Sequence, residues 1–159
     1  GGTPADENKA REMFSTLDPA KTAADGEAVR AWLAKHEGAN GKVGAVGFCW
    51  GGGLVNRMAV NSPELNAGVA YYGQQAPAAD VPKIKAPLML HYGGLDERIN
   101  AGIPAYREAL EKNGKTFEIF VYEGVNHAFN NDTSSARYDK TAADLAWSRT
   151  TEFFKKNLG

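Results

Sequence analysis

The stretch Lys42-Val-Gly-Ala-Val-Gly-Phe-Cys-Trp-Gly-Gly-Gly-Leu54 decides how this chain is read. A short apolar run ends in glycines that bracket one cysteine, and helix-compatible sequence follows, so the stretch predicts a strand, a sharp turn and a helix. In such a nucleophile elbow the reactive side chain sits at the tip of a strained turn, and the positions two before and two after it have to be nearly free of side chain. Gly47 and Gly51 hold those positions around Cys49. The turn aims the sulfur at the N-terminus of the following helix, a setting that favours a thiolate. The backbone N–H of Trp50 then points at a developing oxyanion. A glycine-rich turn beside a buried, inert cysteine is the other reading of the same residues.

Two later segments bear on that choice. Leu88-Met-Leu-His-Tyr-Gly-Gly-Leu-Asp96 is an apolar strand ending in glycines and an aspartate, and Phe117-Glu-Ile-Phe-Val-Tyr-Glu-Gly-Val-Asn-His127 is another ending in a histidine. Nucleophile, acid and histidine in that order, each just past a strand, is the α/β-hydrolase order. In these roles His127 accepts the Cys49 proton and returns it to the leaving oxygen, while Asp96 fixes the imidazole tautomer. Glu97 is the rival acid, and Asp96 is also suited to a turn or a helix cap. His91 is the rival base, although its place inside an apolar strand reads as a hydrogen-bonded core histidine.

With these residues in view the chain resembles the C-terminal portion of a dienelactone hydrolase, a carboxymethylenebutenolidase-like branch of the α/β-hydrolases. The matches are Gly-Phe-Cys-Trp-Gly-Gly-Gly from Gly47, Tyr-Tyr-Gly from Tyr71, Gly-Leu-Asp ending at Asp96 and Asn-His-Ala-Phe ending at Phe129. Cysteine in place of serine at the elbow separates this family from most lipases and esterases. The resemblance implies a parallel sheet with flanking helices and a Cys49-His127-Asp96 triad that cleaves a small ester or lactone through an acyl-thioester. It also implies a longer N-terminal part than this chain has, with earlier strands, a loop giving a second oxyanion amide and a glutamate that helps activate the cysteine. Where the family places a substrate-binding arginine shortly after its histidine, this chain has Asn131, and the next arginine is Arg137. Three function classes follow: a cysteine-dependent hydrolase, a partner-dependent or inactive half-domain that keeps the elbow, and a redox-responsive thiol.

Composition narrows the setting. A chain of 159 residues with 43% hydrophobic content and no repeat predicts one domain over residues 1–159, with an N-terminus that reads as processed or truncated because it opens Gly1-Gly2-Thr3-Pro4. Eighteen basic residues against nineteen acidic ones leave a formal charge of −1, with no excess to draw nucleic acid or an anionic membrane. No apolar run approaches a membrane span. One cysteine forms no internal disulfide, and a reduced cytoplasm is the simplest setting for a working thiol. Histidines at 36, 91 and 127 with a single cysteine show no metal-ligand spacing, so no metal is expected, and His36 reads as an exposed cation at a helix end. Gly51-Gly52-Gly53 lacks the Lys-Ser/Thr of a phosphate loop and the acidic partner of a dinucleotide site, so no cofactor is expected. Asn131-Asp-Thr133 matches a glycosylation sequon and reads as loop. Tyr72 and Phe129, with Tyr71 and Trp50, are candidate pocket walls or plain core aromatics.

Taken in order, the chain predicts an amphipathic helix over 6–17 and a helix over 22–36 with Ala24, Ala28, Trp32 and Leu33 on one face. Strands follow at 43–48, 67–72, 88–92 and 117–122, with helices at 52–60, 103–112 and 141–157. The prolines at 77, 82 and 87 exclude regular helix between 74 and 87. The alternation calls for an α/β fold, a parallel sheet with helices on both faces. The first strand, apolar throughout, reads as buried on both faces. Without earlier strands it becomes an edge, so the chain is expected either to associate with a copy of itself or to pair with a missing N-terminal segment across the Val43 edge.

Overall fold

A computed structural model describes residues 4–159; Gly1, Gly2 and Thr3 of the opening stretch lie outside the described residues. Four strands form one parallel sheet in the order β1-β2-β3-β4: β1 Gly44–Phe48, β2 Ala67–Tyr71, β3 Leu88–Gly93 and β4 Phe117–Tyr122. Sequential strands lie side by side, and each crossover carries helix or loop over a face, as parallel pairing requires. The helices are α1 Glu7–Ser15, α2 Pro19–Ala34, α3 Trp50–Asn61, α4 Glu97–Asn100, α5 Ile103–Lys112 and α6 Lys140–Leu158.

Strand periodicity splits the core in two. Ala70, Leu88, Leu90 and Tyr92 point to one face, where they pack with Val55, Met58 and Ala59 of α3 and Tyr106 and Leu110 of α5. Val69, Tyr71 and Met89 point to the other, against Ala142, Ala146 and Phe153 of α6. Behind α6 runs a buried polar chain. His91 Nδ1 meets Tyr122 Oη at 3.0 Å, its Nε2 meets Thr150 Oγ1 at 3.2 Å, and Thr150 meets Tyr71 Oη at 2.7 Å. Burial, with Arg149 nearby, holds the His91 pKa down at about 3, so the ring is neutral. This is the core histidine that its strand position predicts.

Four expectations change. The Asp18-Pro19 pair that ends α1 also starts α2: Asp18 accepts from the Ala20 and Lys21 amides with proline in the first turn, so the helix begins at 19 rather than 22. A 3₁₀ helix, Ala78–Lys83, forms within the proline-bearing loop, because the amides that close it belong to Asp80 and Ile84 rather than to Pro82. β1 is not buried on both faces. It lies at the sheet edge, and Val46 and Phe48 are 40% and 38% exposed because no neighbour covers them. The face of α2 holding Ala24, Ala28, Trp32 and Leu33 likewise points outward, while Ala23, Gly26, Glu27 and Arg30 face α3, where Ser62 Oγ donates to Glu27.

Candidate active site

The site is built at the carboxyl ends of the strands. β1 ends at Phe48, α3 begins at Trp50, and Cys49 between them adopts φ 52°, ψ −116°, a conformation costly for any residue with a Cβ. The Cys49 amide donates to Tyr71 O at 3.0 Å and its carbonyl accepts from the Gly53 amide at 3.2 Å, so the turn is held from both sides. Gly47 is a steric necessity: a Cβ there would stand 2.1 Å from Gly51 O. Gly51 is not, because a Cβ on it would meet nothing within 4 Å. The demand falls instead on Gly52, whose Cβ would lie 2.7 Å from Tyr71 O, and on Gly73, whose Cβ would lie 2.3 Å from the Gly52 carbonyl carbon. The crowded atoms are where α3 crosses the end of β2.

Asp96 follows β3 and His127 follows β4. His127 Nδ1 hydrogen-bonds Asp96 Oδ2, and the other carboxylate oxygen, Oδ1, accepts from the Ile99 amide at 3.3 Å and caps α4. The helix-cap reading of Asp96 and its pairing with histidine therefore hold together. Glu97, the rival acid, lies exposed in the first turn of α4. The Tyr72 ring lies tilted against the His127 ring, 4.9 Å between centroids. The φ of Tyr72 is 40°, and Ala128, directly after the histidine, has φ 65°. With Cys49 these are the non-glycine residues of positive φ among the described residues, and all three flank the same point, as strain stored at functional sites does.

Cys49 and His127 line one cavity of about 550 Å³ together with Trp50, Tyr72, Arg57 and Arg98. Phe129 does not line it. It is fully buried behind Tyr72, its ring 5.4 Å from that of the tyrosine, and serves as core. Trp50 is half-exposed, with its ring edge-on to Phe14 of α1 at 4.8 Å. Its amide belongs to the first turn of α3, where backbone donors have no acceptor within the helix. Arg98 and Arg137 bound a recess beside Asp96 and His127. Arg98 does not stand out in the sequence as a site residue, and Arg137 does so only as the next arginine after His127; the approach of α4 to the loop after His127 brings them together.

The thiol departs from its expected state. Burial pushes the Cys49 pKa above the ordinary value; the Arg137 charge pulls it down, the Asp96 charge adds to the rise, and Arg98 opposes it. Half-buried against the aromatic cluster of Tyr71, Tyr72 and Phe129, the sulfur is desolvated, and the resting form is the thiol rather than the thiolate. Burial drives the Tyr72 phenol far above its usual range as well, so it remains a neutral hydroxyl. Among the described residues no three of His, Cys, Asp or Glu gather as a metal-binding group. None of the described helices is long and apolar enough to cross a membrane. His36 is exposed, its Nδ1 2.7 Å from Glu37 O, and Asn131 sits in a turn with its Oδ1 accepting from Thr133.

A model of the dienelactone hydrolase family matches residues 1–158. The chain is 38% identical over 116 residues to a provisionally named carboxymethylenebutenolidase of Saccharolobus solfataricus, covering 72% of this chain and 44% of that protein. It is 31% identical over 158 residues to a protein of the same name from Escherichia coli, covering 92% and 58% respectively. Among solved structures, a provisionally named dienelactone hydrolase of Klebsiella pneumoniae superposes with a TM-score of 0.83 at 31% identity, over 90% of this chain and 64% of the other. A dienelactone hydrolase of Anabaena variabilis, at 22% identity and a TM-score of 0.71 over 96% and 69%, shares the fold. The chain spans about half the length of the curated relatives it matches.

Proposed function

Because the chain belongs to the dienelactone hydrolase family, with the α/β-hydrolase arrangement of its parallel sheet, we propose that it cleaves a small ester or lactone through Cys49, His127 and Asp96. The observation that carries this reading is the Asp96–His127 hydrogen bond beside a cavity that Cys49 and His127 share. With Nδ1 held by Asp96, Nε2 is the ring nitrogen available to the sulfur. As the carbonyl approaches, the Cys49 proton passes to His127 Nε2 and the sulfur forms a C–S bond to the carbonyl carbon. The carbonyl electron pair moves onto oxygen, which the Trp50 amide stabilises. Collapse of this tetrahedral species breaks the C–O bond, and His127 returns its proton to the departing alkoxide. Water, deprotonated by His127, then attacks the thioester, releasing the acid and restoring the thiol. A thiol that holds its proton until substrate arrives suits this sequence, since attack and proton transfer are then coupled. Arg98 and Arg137 beside the histidine favour a substrate with a negative charge near the reacting carbon, in the role that the arginine missing at Asn131 would fill.

The test is turnover of a chromogenic short-chain ester by the wild type, Cys49→Ala and His127→Ala. Loss in both variants, with one acyl group found by mass spectrometry on the peptide bearing Cys49, is the expected result. Unchanged turnover in Cys49→Ala overturns the reading.

A second reading rests on the uncovered β1 edge and the outward apolar face of α2. Here the chain is a half-domain that acts only when a second copy, or an N-terminal segment, pairs across the Val43 edge and adds the second oxyanion donor. Sedimentation separates the two: a stable monomer with full esterase activity removes the half-domain reading.

A further inference from the structure

The Asp96 carboxylate is held from two sides, and only one of them is His127. On the other side the Ile99 amide donates to Oδ1 at 3.3 Å. The carbonyl of that same Ile99 accepts from Gln75 Nε2 at 3.1 Å. One residue thus gives its N–H to the aspartate and its C=O to the glutamine. Ile99 is buried, so whatever fixes its backbone also fixes the direction in which its amide meets the carboxylate.

Gln75 is itself firmly seated. Asn56, a fully buried residue of α3, donates from Nδ2 to Gln74 O at 2.9 Å, which ties the loop after β2 to the helix that follows Cys49. The same loop begins at Tyr72, whose ring lies against His127. Tyr72 and Gln75 therefore brace the acid–base pair from one short segment, the first at the histidine and the second behind the aspartate. The far end of the Gln75 amide is closed in as well. Oε1 is buried with no hydrogen-bond partner among the described residues, and a Cβ added to Gly102 would stand 2.3 Å from it, the three nearest atoms all belonging to the Gln75 side chain. Reversing the amide would set its oxygen against the Ile99 carbonyl. A buried, unpaired Oε1 costs stability that a plain pocket wall, which methionine could form, would not.

Resting on the hydrolase reading above for what the pair does, we propose that Gln75 is a positioning residue: by holding the Ile99 carbonyl it sets the Asp96 carboxylate against His127 Nδ1. It acts through Ile99 and Asp96 rather than on the substrate.

The experiment disturbs the Gln75 amide in two ways and reads the consequence at His127. Gln75→Ala removes the donor, whereas Gly102→Ala keeps the glutamine and drives its side chain off Ile99. Each should lower kcat on a chromogenic short-chain ester by about tenfold, the worth of one hydrogen bond to a buried group, and change KM less. The double variant should be no slower than Gln75→Ala alone, because the Gln75 atoms nearest the added Cβ are gone. A fall confined to KM, or losses that multiply in the double variant, makes Gln75 a pocket wall or a packing residue and overturns the proposal. Nitrogen NMR of isotopically labelled histidine reads the ring without any ester: in the wild type the proton is expected on Nδ1 of His127, and in either single variant the two tautomers should mix. Mixed tautomers already in the wild type, or the wild-type pattern in both variants, overturn the proposal. Mixing in the variants of a protein that hydrolyses no ester upholds the positioning role, and in that case it is the hydrolase reading that fails. Gln75→Glu keeps the shape and loses the donor, so it carries the same readings if the alanine variant does not fold.

Discussion

Three adjacent glycines look alike in the sequence, and the structure assigns them different costs. A Cβ added at Gly51 meets nothing within 4 Å, one at Gly53 meets Gln74 at an ordinary 3.5 Å, and one at Gly52 would lie 2.7 Å from Tyr71 O and 3.0 Å from Gly73 Cα. All three residues are in α3, where replacing glycine by alanine removes backbone freedom from the unfolded chain and stabilises by about 0.5–1 kcal/mol when nothing is in the way. Gly51→Ala and Gly53→Ala should therefore hold or raise stability, with Tm rising by about 2–4 °C for each 1 kcal/mol in a chain of this size. Gly52→Ala gains the same entropy but presses on backbone that no rotamer change can clear. The end of β2 must move, at a cost of about 1–3 kcal/mol. The net effect is destabilisation, and because Cys49 donates to Tyr71 O, the displacement reaches the elbow. A misplacement of about 1 Å there is worth roughly 10² in rate. Urea unfolding and ester turnover of the three single variants form the assay. Gly51→Ala losing as much stability as Gly52→Ala, or Gly52→Ala remaining as stable and as active as wild type, would refute the reasoning.

Asp96→Asn should keep the fold, since an amide oxygen can still cap α4 through Ile99, yet lower turnover by about 10⁴ because the amide no longer holds His127 in the required tautomer; circular dichroism with steady-state kinetics checks both parts. Iodoacetamide should label Cys49 at neutral pH more slowly than a small free thiol, because burial raises the thiol pKa, and labelling should speed up in Asp96→Asn, where a charge that adds to the rise is gone; faster labelling than the free thiol would contradict the burial argument. His91 has a folded-state pKa lowered from 6.5 to about 3, so its neutral form contributes stability that is present above pH 6.5 and lost as pH falls toward 3. Urea midpoints measured between pH 7 and 4 should fall, and His91→Gln should flatten that slope.

The strands at 88 and 117 and the helix at 103–112 are legible because their hydrophobic runs and turn residues are local signals. The elbow is legible for the same reason: a strand running into Gly47, Cys49 and a helix leaves the chain few other conformations. The order of Cys49, Asp96 and His127 adds a pattern that needs no coordinates to recognise. What surrounds them was not legible. That α2 turns Trp32 and Leu33 outward, that Phe129 lies behind Tyr72 rather than in the cavity, and that Gly52 rather than Gly51 takes the close contact depend on which neighbour each face meets. Neighbours are set by the packing of elements far apart in the chain. The same holds for charge: Arg98 of α4 and Arg137 of the loop after His127 lie far apart in the chain, and only folding brings them to one recess beside the cavity. The sequence by itself determined which residue types stand just past the strands, and in what order, because that information is local. The tertiary structure alone decided the thiol's resting protonation and the shape and charge of the cavity, because desolvation and Coulomb interaction act through space.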